Sequence, residues 1–366
     1  MNSTTRKPVW ASPLVAAVIW LSGCGPDDAF SPPPPPPPAL TSFEAMEQAI
    51  GRGTYGDIRA VIVQKSDTRL YTNYFSGAAS SERVDVRSVG KSITALAVGK
   101  ALEQGALPSL DLQVWDYLIG DRKVANDSRA KREITVRDLL SMSSALDCND
   151  WISKSPGNEE RMYDRRNWTA FALDLPTDPM FQRRPDGQGR FSYCTAGVFL
   201  LGRVVEKATG ERFDAFVQAE IFEPMQISDV RWRVSPAGEI QSGGQIEMRP
   251  EDLLRIGQMI MAGGEFAGQQ VVETDWLREM MKPRNGVAED MDYAYLWWTR
   301  NFRSGSDVKI AGAFMSGNGG NIVLLLPALD TVIVIAAENY NQDDAFANSI
   351  FIVEKYLIPE LIRSEN

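Results

Sequence analysis

Two apolar runs near the C-terminus limit the folds open to this chain. They are Ile322-Val323-Leu324-Leu325-Leu326 and Thr331-Val332-Ile333-Val334-Ile335-Ala336, joined through Pro327-Ala328-Leu329-Asp330. Runs this short with no polar alternation read as strands buried on both faces, so they need strand neighbours beside them and helices above and below. Near the other end, Ile58–Gln64 and Leu70–Phe75 are β-rich runs separated by Lys65-Ser66-Asp67-Thr68, the pattern of a hairpin. Between these ends, from Ser88 to about Glu223, the periodicity is helical, with segments at Lys91–Glu103, Thr135–Ser143, Asn167–Asp174 and Ala196–Lys207. A capped amphipathic helix over Thr41–Gly51 and another over Asp343–Leu357 frame the whole. The reading is an α/β chain of the α+β type: one sheet assembled from both ends, with a mostly helical lobe, about residues 92–225, inserted. The cleft between sheet and lobe is the expected site.

The first forty residues stand apart. Arg6 and Lys7 precede an apolar stretch, Pro13–Leu21, that ends in Leu21-Ser22-Gly23-Cys24. A basic start, a short apolar core and small residues before a cysteine read as a secretory signal over residues 1–23, too short to span a bilayer as a mature helix. The stretch resembles the lipobox of bacterial lipoproteins, in which the cysteine becomes a lipidated N-terminus. Cys24 is therefore the expected anchor, and the expected location is outside the cytoplasm on a membrane. Residues 24–40 contain the unbroken run Pro32–Pro38, a polyproline II spacer. The domain proper is expected over 41–366.

A formal net charge of −10 argues against nucleic acid as a partner, because phosphate binding needs clustered Lys and Arg. The chain has no histidine and three cysteines, so the usual metal clusters are out of reach and no metal or cofactor is expected. The missing histidine also removes the commonest base for a serine nucleophile. Lysine and tyrosine remain. Ser-x-x-Lys occurs three times, as Ser88–Lys91, Ser128–Lys131 and Ser306–Lys309. The second lies in the charged stretch Asp127–Glu133 and the third follows Arg303-Ser304-Gly305, so both read as solvated. Only Lys91 enters a helix that is apolar nearly all round, with Ile93, Ala95, Leu96, Ala97, Val98, Ala101 and Leu102. Three residues make almost one turn, so Ser88 and Lys91 share a face where the free amides of a first turn can hold an oxyanion.

Two further stretches stand out. Arg190-Phe191-Ser192-Tyr193-Cys194-Thr195-Ala196-Gly197 puts a tyrosine at a loop-to-helix junction. Met315-Ser316-Gly317-Asn318-Gly319-Gly320-Asn321 precedes the first apolar strand, and glycines beside an edge strand permit close approach of a ligand.

In this order the three elements resemble the penicillin-recognising serine hydrolase superfamily, whose motif set includes Ser-x-x-Lys. The resemblance runs from about Ser42 to Ile362 and is closest to class C β-lactamase-like esterases and nylon-oligomer (6-aminohexanoate-dimer) hydrolases. Supporting stretches are Ser109–Tyr117, Ile134–Ser144 and Tyr293–Trp298. It implies a β-lactamase/transpeptidase-like fold with an antiparallel sheet. It implies Ser88 as acylated nucleophile, Lys91 as its activator and Tyr193 as proton shuttle to the leaving group. The backbone amides of Ser88 and Asn321 match the oxyanion hole, with Gly320, Asn318 and Thr195 as neighbouring substrate positions. Thr195 stands where the family's Tyr-x-Asn has asparagine, and Asn318 where its third motif usually has lysine or histidine.

A neutral Asn318 lacks the cation that pairs with a substrate carboxylate, a contact of about 1.5–3 kcal/mol. The expected activity is therefore serine hydrolysis of a small ester or amide, linear or cyclic and ω-amino-acid-oligomer-like. A β-lactamase or penicillin-binding peptidase activity, or a silent binding protein of the same fold, are the alternatives. Placed on this fold, Cys148 and Cys194 are expected to form a disulfide that pins the Tyr193 loop, the alternative being two free thiols.

Overall fold

The computed structural model describes residues 41–305 and 308–364. Cys24 and the proline run lie outside the described residues, as does Ser306. Among the described residues no helix is long and apolar enough to cross a membrane.

Eight antiparallel strands form the main sheet: β1 (Ile58–Lys65), β2 (Thr68–Tyr74), β3 (Asn285–Ala288), β4 (Met291–Tyr293), β5 (Trp298–Ser304), β6 (Val308–Gly317), β7 (Asn321–Leu326) and β8 (Thr331–Ala337). Their order is β2-β1-β8-β7-β6-β5-β4-β3, so the N-terminal hairpin docks on the last strand. The two apolar runs are β7 and β8, in the middle of the sheet. Alternate residues explain why both runs are apolar on their two faces. Val323, Leu325, Val332 and Val334 enter one core, while Ile322, Leu324, Ile333 and Ile335 enter a second core on the opposite face.

The second core is closed by helix α1 (Ser42–Gly51) and the C-terminal helices. Thr41 and Glu44 form a reciprocal capping box at the start of α1. The final helical stretch starts at Ala345, later than expected, and continues past Leu357 to Arg363 through a wider turn at Val353–Leu357.

The first core holds the lobe. Its axis is helix α2 (Val89–Glu103), buried on nearly every side, which packs against helix α5 (Thr195–Thr209). Among the short helices between them in the chain are α3 (Val136–Leu140), capped by Thr135 and Asp138, and α4 (Glu159–Tyr163). Helix α6 (Pro250–Met261), which sequence periodicity did not single out, lies on β8, β7 and β1. It can do so because Gly257 faces the sheet: a Cβ there would come within 2.5 Å of Val332 Cγ1. Helix α7 (Ala345–Ile352) packs beside β7.

Ser128–Lys131 overturns its sequence reading. Lys131 is not solvated; it is fully buried. Its Nζ donates to the carbonyls of Ala125 at 3.1 Å and of Leu173 and Leu175 at 2.7 Å each. Two of these lie at the C-terminal end of the helix Trp168–Asp174, where carbonyls lack intrahelical partners. Burial pushes this ammonium down to about 8. Lys309 is exposed, as its surroundings implied.

Candidate active site

Ser88 opens α2 but does not cap it. Its backbone is already helical, φ −67° and ψ −3°, and its side chain makes no capping bond. The hydroxyl is therefore available. One turn on, Lys91 Nζ donates to Ser88 Oγ at 2.9 Å and to Gly243 O at 2.6 Å. Lys91 is 1% exposed, so this contact is sealed from bulk solvent on the lysine side. The residue before Ser88, Arg87, sits at φ +51°, a backbone conformation that turns the chain sharply into the helix.

Tyr193 meets the pair from the loop before α5. Lys91 Nζ lies 5.0 Å from the centroid of its ring, and Tyr193 lines the same cavity as Ser88. The ring is held between Trp151 at 5.5 Å and Trp298 at 5.9 Å. Burial raises the phenol's pKa, while the Lys91 charge and the Ser88 side chain pull it back and Asp150 and Glu159 push it up.

The loop is fastened by the bond expected of it: Cys148 and Cys194 form a disulfide, with Cα atoms 5.3 Å apart. Around it, Asp150 N donates to Tyr193 O at 2.8 Å, Ser192 Oγ to Cys148 O at 2.7 Å, and Thr195 N to Asp150 Oδ2 at 2.7 Å. Two segments more than forty residues apart thus move as one.

The third element arrives from β6. This strand is internal, not an edge, but its pairing with β5 stops at Phe314. Met315–Gly317 outrun β5 and keep one side free, which gives them the local character of an edge. Gly317 then passes so close to the start of α2 that a Cβ would lie 2.0 Å from Val86 O and 3.2 Å from Ser88 N. Only glycine fits there.

These parts enclose a cavity of about 460 Å³. Ser88, Tyr193 and the run Ser316–Gly320 form its floor. Trp151, Trp298, Met291 and Phe346 give it an apolar wall, and Asp150, Glu159 and Asp343 supply its ionisable groups besides Tyr193. Asp150 is pushed up to about 6, first by burial and then by Glu159, against the pull of Lys91 and the Thr195 amide.

The sequence-predicted residues divide. Ser88, Lys91 and Tyr193 converge, and Gly320 and Asn318 line the cavity. Asn318 is not a free arm, since its amide exchanges hydrogen bonds with Asn341 at 2.8 Å in both directions. The Asn321 side chain is buried outside the cavity lining and ties the turn to Asn318 O and to Ala337. Thr195 is likewise fully buried and does not reach the cavity; its backbone amide holds Asp150 instead. Asp150, Glu159 and Trp298 are cavity residues that the motifs did not reveal. Among the described residues no group of histidine, cysteine or carboxylate side chains is arranged to hold a metal.

Fold and site together define an acyl-transfer serine hydrolase scaffold, and comparison with known proteins places it. The Beta-lactamase family matches residues 59–355, and the chain belongs to that family. The chain is 25% identical over 296 residues to 6-aminohexanoate-dimer hydrolase of Paenarthrobacter ureafaciens, covering 75% of this chain and 71% of that one. Among solved structures it resembles a D-stereospecific amidohydrolase from Streptomyces sp., with TM-score 0.61 at 17% identity, covering 85% of this chain and 97% of the other. It also resembles simvastatin synthase from Aspergillus terreus, with TM-score 0.64 at 14% identity over 88% and 99% of the two chains. These two likenesses speak to the fold. The chain is a hydrolase of this fold, of the kind that acts on amides or esters.

Proposed function

We propose that this protein hydrolyses a small amide or ester whose substrate carries an amino group, through an acyl-enzyme on Ser88. The observation that carries the reading is the Lys91 Nζ–Ser88 Oγ contact of 2.9 Å at the floor of a cavity lined by three carboxylates. Ser88 Oγ attacks the acyl carbon while its proton passes to Lys91 and Tyr193. The carbonyl electron pair moves onto oxygen, held by the Ser88 amide and the Ser316–Gly320 turn. Collapse breaks the bond to the leaving group, which takes the proton through Tyr193, and water then repeats the sequence to release the acid.

Glu159 and Asp343 face an entering ligand with negative charge, and neutral Asn318 offers no cation to a carboxylate. Such a field favours an ammonium group and opposes the carboxylate of β-lactams and cell-wall peptides. The apolar wall of Trp298, Met291 and Phe346 suits a methylene chain. We also read Cys24 as the site of lipid attachment; mass spectrometry of the mature N-terminal peptide from the native host checks this.

The test of the substrate reading compares 6-aminohexanoyl p-nitroanilide with its N-acetylated form. The expected kcat/KM is at least about tenfold higher for the free amine, as one charge contact of about 1.4 kcal/mol implies. Equal turnover of the two, or preference for the acetylated form, contradicts the amino-group reading.

A further inference from the structure

Asp150 is the carboxylate of the cavity that backbone amides hold, whereas Glu159 Oε2 accepts from the Tyr163 hydroxyl at 3.0 Å. Asp150 Oδ2 accepts from Thr195 N at 2.7 Å and its Oδ1 from Glu159 N at 2.9 Å, and its own N–H donates to Tyr193 O at 2.8 Å. It is thus fixed by backbone groups from α4 and α5, on a segment bolted by the disulfide to the Tyr193 loop. The other ionisable groups that act on it are Glu159 from α4 and Lys91 from α2, and it in turn acts on Tyr163 of α4 and on Tyr193. Lys91 becomes the cation of this group when it takes the proton of Ser88. Its Nζ has two oxygen acceptors, Ser88 Oγ and Gly243 O, and both are neutral. Neither compensates a full positive charge in a buried site, where an uncompensated ammonium is expensive.

Resting on the Ser88 reading above, we propose that Asp150 is a positioning residue of the reaction, whose carboxylate stabilises the ammonium formed on Lys91 when Ser88 gives up its proton. It touches neither substrate nor the reacting bond. The proton that leaves Ser88 Oγ resides on Lys91 Nζ while the Oγ–acyl bond forms, and Asp150 lowers the energy of that charge separation, as a buried aspartate does for a catalytic imidazolium. This assigns the cavity's carboxylates to two duties. Glu159 and Asp343 face the ligand, and Asp150 faces the machinery. Asp150 performs its duty only when ionised, and its proton uptake near pH 6 sets the range. Activity then falls as pH drops through 6.

The test uses a neutral ester, p-nitrophenyl butyrate, which has no ammonium for any carboxylate to bind. Asp150→Asn is expected to lower kcat by about 100-fold with little change in KM, and to lack the inflection near pH 6 expected of wild type. Glu159→Gln keeps an acid inflection but moves it to lower pH, because Glu159 is part of what raises Asp150. Asp150→Glu restores part of kcat and retains an acid inflection; if Asp150→Asn melts below the assay temperature, this variant carries the comparison. Loss confined to amino-bearing substrates would make Asp150 a ligand-binding residue and overturn the proposal, as would an unchanged pH profile in Asp150→Asn. Failure of the Ser88 reading shows separately, as wild-type turnover of the ester that survives Ser88→Ala.

Discussion

Ser88–Lys91 and Ser128–Lys131 share a spacing, a helix start and a buried lysine, yet their geometry sends them to different ends. Ser128 is extended at φ −150° and ψ 156°, and its hydroxyl is spent accepting Lys131 N as a helix cap. Lys131 Nζ then finds three backbone carbonyls and closes the end of a neighbouring helix. Ser88 has helical backbone angles, makes no cap, and leaves its hydroxyl for Lys91 Nζ at the floor of a cavity. A Ser-x-x-Lys motif is therefore decided by the serine's own φ and ψ. An extended serine caps, and a helical one is left free to react.

That contrast is open to attack from both sides. The largest expected effect is on Ser88→Ala, which should remove about 10⁵-fold of kcat/KM with the melting temperature unchanged. Lys91→Ala should lose about 10³-fold, the scale of a general base. Lys131→Met should leave kcat/KM within about twofold and instead lose on the order of 3 kcal/mol of stability, because three buried carbonyls lose their donor. Chemical denaturation beside a steady-state assay reads both; a Lys131→Met enzyme that folds normally but is inactive would break the comparison. The paired Cys148→Ser and Cys194→Ser change should cost roughly 3–4 kcal/mol for a closed loop of 46 residues, with a smaller fall in kcat as Tyr193 loosens. Ser128→Ala is the mildest, about 1 kcal/mol for a lost cap and no change in turnover.

Ionisation sharpens the same contrast. Asp150 is raised in the folded state, so folding takes up a proton between the ordinary carboxylate range and about pH 6. Its stabilising contribution is present at low pH and lost as pH rises through 6. The melting temperature of wild type relative to Asp150→Asn should accordingly be higher at pH 4.5 than at pH 7.5.

Much of this was legible in the sequence where one residue pattern carries one physical demand. β7 and β8 had to be central because both of their faces are buried, and Ser88 stood out because the helix behind it has no polar side. Helix α6 was hidden although it has proline at its first position and acidic residues in its first turn. Gly257, which weakens a helix in isolation, is what lets this one reach Val332. Lys131 misled because its sequence neighbours are charged, while its acceptors come from a segment some forty residues away. Asp150 gave no local signal at all. Its significance depends on a loop brought against Thr195 and Tyr193 by the fold and held there by Cys148–Cys194.

Intact-mass spectrometry after treatment with a fluorophosphonate tests the central claim most directly. One adduct is expected on wild type and on Ser128→Ala, and none on Ser88→Ala. An adduct that persists on Ser88→Ala, or its absence from wild type, would contradict the assignment of Ser88 as the nucleophile.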